Sequence, residues 1–351
     1  MKFEQTPRRE APKGGREGFD ADTENKRVAF LEDAAKKYLE EDVVTVEWVE
    51  NILEKVDFKE VRNIFAEHAR HAGVPDEKLN FVWPDRFFVL SDEHASSTFL
   101  YDPFANAVVI SGSLFRSQLE SKQDDENIAQ YFLFGLFHEL AHITAENRLQ
   151  ITDEKQGEHS KMLNYADVGI ICRSGFNKIN VSDRAASFVM FEEAITQAVA
   201  TEVGREYLRR RPLDVFDNRI SSTKYDEFCK SGVERKMPRV LAGQMRHFRA
   251  AQGFFERLSE HVAKECGVPK DIANRAFIAA HYSGSDLTPE LRELIDGIVG
   301  QGFIERLAGA QTKSDFEHIA RTYKFAPISD SMSKKVLRFF GFALESNEKN
   351  R

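Results

Sequence analysis

The residues best placed to do chemistry are five in a row, His138-Glu139-Leu140-Ala141-His142. On a helix, residues four apart share a face, so His138 and His142 would aim two imidazoles at one point. Glu139 lies about 100° round the helix from His138, beside that pair. Zinc takes imidazole nitrogens readily, and a catalytic site adds a third protein donor and an open position for water. The metal makes that water more acidic. Glu139 would accept its proton and pass it to a leaving amine.

The chain has ten histidines, so such a motif also arises by chance. Its setting argues against chance. From Ile128 to Ile143 the sequence is apolar on nearly every helical face, so this helix is expected to be buried. Buried His and Glu side chains need partners. A metal would satisfy them; a hydrogen-bonded polar cluster is the competing reading.

The third donor decides the subclass. A metzincin would need Gly and His where Ala145 and Arg148 stand, so the donor must come from elsewhere. The best source is a second long helix carrying Phe191-Glu192-Glu193-Ala194-Ile195-Thr196-Gln197-Ala198, in which two carboxylates interrupt an apolar stretch. Adjacent helical residues point about 100° apart, so only one of Glu192 and Glu193 can face the metal. His159 is an alternative donor, although its neighbours Gly157, Glu158, Ser160 and Lys161 read as exposed loop. His68 and His71 share a helix face without a carboxylate or Cys motif and read as a solvated pair.

With these motifs the chain resembles the gluzincin-type zinc metallopeptidases, which join H-E-x-x-H on one helix to a glutamate on a second. The HELAH wording and the Glu-Ala start of the second motif also resemble the ImmA/IrrE-like metallopeptidases. The resemblance covers about residues 80–210. It implies Zn2+ held by His138, His142 and Glu193, with Glu139 as general base and a peptide or protein as substrate. It places Thr196 at a hydroxyl position and Gln197 where a carboxylate would orient a ligand histidine; an amide still accepts that N–H bond. It also implies that the strand Ala107–Ser111, just before the active-site helix, is a sheet edge able to pair with an extended peptide. The oxyanion of a tetrahedral intermediate needs a donor. Tyr225, His247, His281 and Tyr282 are the candidates, whereas Tyr207 lies about four turns past Glu193 and is too distant.

The elements that must position these groups read as α+β and predominantly helical. Residues 1–27, with many charges and few large apolar groups, are expected to be a disordered tail without the apolar run of a secretory signal. Helical spacing begins at Val28, and further helices are expected over Val46–Val56 and Lys59–His71. Short β-rich runs follow at Phe87–Leu90, Phe99–Tyr101 and Ala107–Ser111, the last two joined by turn chemistry at Asp102, Pro103 and Asn106. Together with the first helices, this small sheet makes up residues 28–120. Residues 121–212 would hold the two zinc-binding helices, Asp124–Asn147 and a second one capped by Ser182 or Asp183 and ended by Pro212. Residues 148–181 between them read as an inserted loop over the cleft, and 213–351 as a C-terminal helical subdomain.

Composition bounds the rest. The 351 residues are 42% hydrophobic, enough for a real core, and no apolar run is long enough to span a membrane. The net charge of −8 gives no general attraction to nucleic acid or anionic lipid. Three scattered cysteines, Cys172, Cys229 and Cys266, exclude a disulfide framework and fit a reducing, cytoplasmic setting. Two other classes remain: a zincin scaffold that binds or regulates with little turnover, and a helical interaction protein with a chance motif.

Overall fold

The computed structural model describes residues 46–323, apart from 80–82, 85, 91–97, 103–105, 114, 116–124, 146, 157–158, 169–187, 216–217, 231–238, 284–294 and 311. The expected tail, the helix from Val28 and the caps Ser182 and Asp183 lie outside the described residues. The chain is mostly helical with small sheets.

Helices α1 (Glu47–Lys55) and α2 (Phe58–His71) form where expected. Asp57 caps α2 by accepting from the Glu60 N–H, and both helices bury one apolar face. Strands β1 (Arg86–Leu90), β2 (Phe99–Asp102) and β3 (Ala107–Ser111) make a three-stranded sheet. Its order is β1-β3-β2, with β3 parallel to β1 and antiparallel to β2. Asn106 takes the turn before β3 at a positive φ of 47°, and its side chain donates to Trp83 O. The expectation that Ala107–Ser111 is a sheet edge is therefore wrong. All five of its residues are buried, and the pairing is satisfied on both sides. Such a run of apolar residues, AVVIS, suits an interior strand rather than an edge. Among the described residues, the edge beside the long helix is β2.

That long helix, α3 (Asp125–Thr144), is buried on almost every face. Gly135 lies close against β2: a Cβ there would lie 2.5 Å from Phe99 Cε2. After α3, a hairpin of β4 (Asn147–Gln156) and β5 (His159–Val168) pairs in register throughout. This replaces the loop expected over 148–181, of which 169–181 lie outside the described residues. The period-two alternation around Leu149 and Ile151 was masked by the charged residues that follow them.

Helix α4 (Val189–Arg210) packs against α3. It starts at Phe188, a buried residue in the left-handed region (φ 64°) whose N–H donates to Ala308 O. Gly204 on α4 admits Phe137 and Tyr225, each within 2.8 Å of where a Cβ would be. A small hairpin, β6 (Leu213–Val215) and β7 (Asn218–Ile220), follows Pro212 where helix was expected. Helices α5 (Ser222–Lys230), α6 (Arg239–Cys266), α7 (Lys270–Ser283), α8 (Phe303–Gly309) and α9 (Lys313–Thr322) complete the structure. Helices α6 and α7 are separated at Gly267, which takes a φ of 65°. One apolar cluster runs from Val46 to Ala320, so the C-terminal helices share their core with α3 and α4.

Candidate metal centre

Helices α3 and α4 lie side by side and bring three of the predicted residues together. His138 Nε2 is 3.2 Å from Glu193 Oε2 and 3.2 Å from His142 Nε2. His142 Nε2 is 3.5 Å from Glu193 Oε1. Donors about 2.0–2.1 Å from a tetrahedral zinc would be separated by about 3.3 Å, so these spacings fit such an ion. His138 is 3% exposed, His142 12% and Glu193 27%, so the cluster opens to solvent on the Glu193 side. Among the described residues this is the one group of His, Cys, Asp and Glu side chains arranged to hold a metal.

The protons around the cluster follow from its partners. Thr201 donates its hydroxyl proton to Gln197 O at 2.9 Å, so its oxygen must accept from Gln197 Nε2 at 3.0 Å. That orientation turns Gln197 Oε1 toward His138 Nδ1, 2.9 Å away, and an amide oxygen only accepts. His138 must therefore donate from Nδ1. On the other imidazole, Nδ1 of His142 lies 3.4 Å from Thr196 Oγ1. With His138 donating outward from Nδ1, its Nε2 lone pair faces His142 Nε2 and the Glu193 carboxylate. Such a set calls for a cation between them, a metal ion or protons.

Charge effects agree. Burial disfavours protonated His142, yet the Glu193 carboxylate outweighs it and raises the imidazole to about 9. Burial likewise disfavours ionised Glu193, but His142 and His138 hold the carboxyl well below its usual range. Glu139 stands beside this set, 7% exposed. Burial pushes its carboxyl up, against the pull of His138 and His142. Its Oε2 accepts the backbone N–H of Tyr101 on β2 at 2.8 Å.

Of the four oxyanion candidates, His247 is linked to the cluster only through the ring of its neighbour Phe248. Its ring packs on Phe248 at 6.0 Å, and Phe248 packs on His138 at 4.5 Å. The other three make different contacts. Tyr225 is fully buried against Phe137 and Gly204. The Tyr282 hydroxyl meets His68 Nδ1 at 3.1 Å, and His281 Nδ1 is ion-paired with Glu192. His68 also contacts Glu202 at 2.9 Å, while His71 meets Arg275; neither joins the metal cluster. Of His159 only the backbone is described, paired opposite Gln156 at the far end of the β4–β5 hairpin from α3.

Three contributors were invisible in the sequence. Tyr101 acts through its backbone, which no residue pattern marks. Phe248 sits in an amphipathic helix like any core aromatic. The hydroxyl of Thr201 gains its meaning only from the orientation of Gln197.

No protein-family model, curated protein or solved structure matches this chain.

Proposed function

We propose that this chain is a zinc-dependent peptidase of gluzincin type on a zincin-like core. The observation that carries the reading is the convergence of His138, His142 and Glu193 at spacings fit for one tetrahedral ion, with Glu139 alongside. His138 Nε2, His142 Nε2 and a Glu193 oxygen would hold the metal. A zinc ion there would supply a more acidic water and polarise the scissile carbonyl.

The protein's own groups do the rest. Tyr101 N–H fixes one oxygen of Glu139 and leaves the other to accept the water's proton and deliver it to the departing amine. The raised affinity of buried Glu139 for a proton suits it to that exchange. Gln197 holds the tautomer of His138. His247, whose neighbour Phe248 packs on His138, is the candidate donor to a developing oxyanion. The substrate is a peptide or protein.

Elemental analysis of wild type and Glu193→Ala tests the reading. Near-stoichiometric zinc in the first and clear loss in the second is the expected result. Zinc retained in both would move the third donor elsewhere, and no zinc in either would favour the interaction-protein class. Cleavage of a mixed peptide library, followed by mass spectrometry, then tests hydrolysis. Persistent failure of the zinc-loaded protein to cleave would point to a binding scaffold.

A further inference from the structure

Glu192 neighbours a metal-ligand candidate but does not join the donor set. It is wholly buried, and its Oε1 is ion-paired with Nδ1 of His281, a wholly buried residue on α7. The same oxygen lies 3.4 Å from Thr196 Oγ1, which in turn lies 3.4 Å from His142 Nδ1. A line of buried groups therefore runs from His281 through Glu192 and Thr196 to one face of the proposed centre. His281 Nε2 has no hydrogen-bond partner among the described residues, so Glu192 is the hydrogen-bond partner that orients its ring.

We propose that Glu192 and His281 are positioning residues for the metal centre, acting on His142 through the Thr196 hydroxyl. The inference rests on the zinc reading of His138, His142 and Glu193. Its logic is the single proton of a hydroxyl. The Glu192 carboxylate is an acceptor, so Thr196 donates to it and turns its lone pairs toward His142. A neutral His142 must then donate from Nδ1, which leaves Nε2 unprotonated and facing the other donors. Without the carboxylate, the hydroxyl is free to donate to Nδ1 instead, which would place the imidazole proton on Nε2, where it blocks coordination. His281 holds the carboxylate in place, because a buried anion without a partner is strongly disfavoured. The arrangement is the counterpart of Thr201 and Gln197 on His138, built with a hydroxyl instead of an amide.

A pair that merely filled the core would affect stability and leave metal affinity alone. The test is zinc affinity by competition with a chromophoric chelator, with folding checked by thermal melts of the zinc-free proteins. Thr196→Val should weaken zinc binding about 10-fold or more, and Thr196→Ser should restore it. Glu192→Met/His281→Leu removes the buried pair as a unit and strands no charge. It should weaken binding by a similar factor, and adding Thr196→Val to it should cause no further loss, because all three act through one contact. Glu192→Gln keeps the shape and weakens the acceptor; it serves the same comparison if the double variant does not fold. Wild-type affinity in the Glu192 variants, or losses that simply add, would overturn the proposal. Absence of zinc from wild type, or wild-type affinity in Glu193→Ala, would instead bring down the zinc reading itself, and this inference with it.

Discussion

The backbone N–H of Tyr101 points out of the sheet edge and donates to Glu139 Oε2 across 2.8 Å. Just before β2, Thr98 O accepts from Ser111 N–H, which sets the alternation of the strand: the backbone of Leu100 and Asp102 bonds inward to β3, while that of Phe99 and Tyr101 faces away. The strand's outward backbone thus holds the carboxylate proposed as the base. Glu139→Gln keeps an oxygen for this bond but loses the base. Hydrolysis should fall by roughly two to four orders of magnitude, with zinc content unchanged. Turnover near wild type would remove Glu139 from the mechanism.

Gly135 and Glu139 are four residues apart and share the face of α3 turned to β2. Phe99 occupies the space beside Gly135 and so sets the distance of the strand. Gly135→Ala should therefore destabilise the protein by about 1–3 kcal/mol through overpacking. Urea unfolding reads this directly. Amide exchange at Tyr101 should also quicken, since its acceptor is displaced.

The zinc-free protein should respond to pH through His142. Its imidazole is raised from the ordinary 6.5 to about 9 by the Glu193 carboxylate. A raised value means the folded state binds the proton more tightly than the unfolded one. The resulting stability is present in full below about 6.5 and is lost as pH climbs toward 9. Melting temperature of the chelator-treated protein should fall over that window, and Glu193→Gln should flatten the fall. Zinc binding should show the opposite trend, strengthening with pH as the competing proton leaves.

The two described cysteines should differ in reactivity. Cys229 is buried, and burial pushes its thiol up to about 12, whereas Cys266 is exposed. Iodoacetamide at mildly alkaline pH should label Cys266 in the native protein and spare Cys229 until unfolding. Peptide mapping by mass spectrometry would show this, and native labelling of Cys229 would contradict the packing around α5.

Much of the centre was legible because helical spacing is a rigid rule. His138 and His142 had to share a face, and a buried α3 had to give its polar groups partners. The choice between Glu192 and Glu193 was not legible from geometry alone, since each lies in the apolar stretch and either could have turned inward. The hairpin over 147–168 was missed because Asp153, Glu154 and Lys155 break the hydrophobic alternation that betrays a strand. The edge assignment failed for a related reason. Chain order says which strand precedes α3, but not that β3 inserts between β1 and β2 and leaves β2 outside. The distant oxyanion candidates likewise needed tertiary placement, which local pattern does not carry.

Phe188 anchors the start of α4 by a bond to Ala308, more than a hundred residues later in the chain. During synthesis, therefore, both ligand helices leave the ribosome well before the contact that fixes where the second begins. A nascent chain that has only reached α5 holds His138, His142 and Glu193 but lacks both that anchor and His281. The proposed centre would thus be completed late, after α7 and α8 have been released, and a chain cut before them would carry the full motif without the frame proposed to align it.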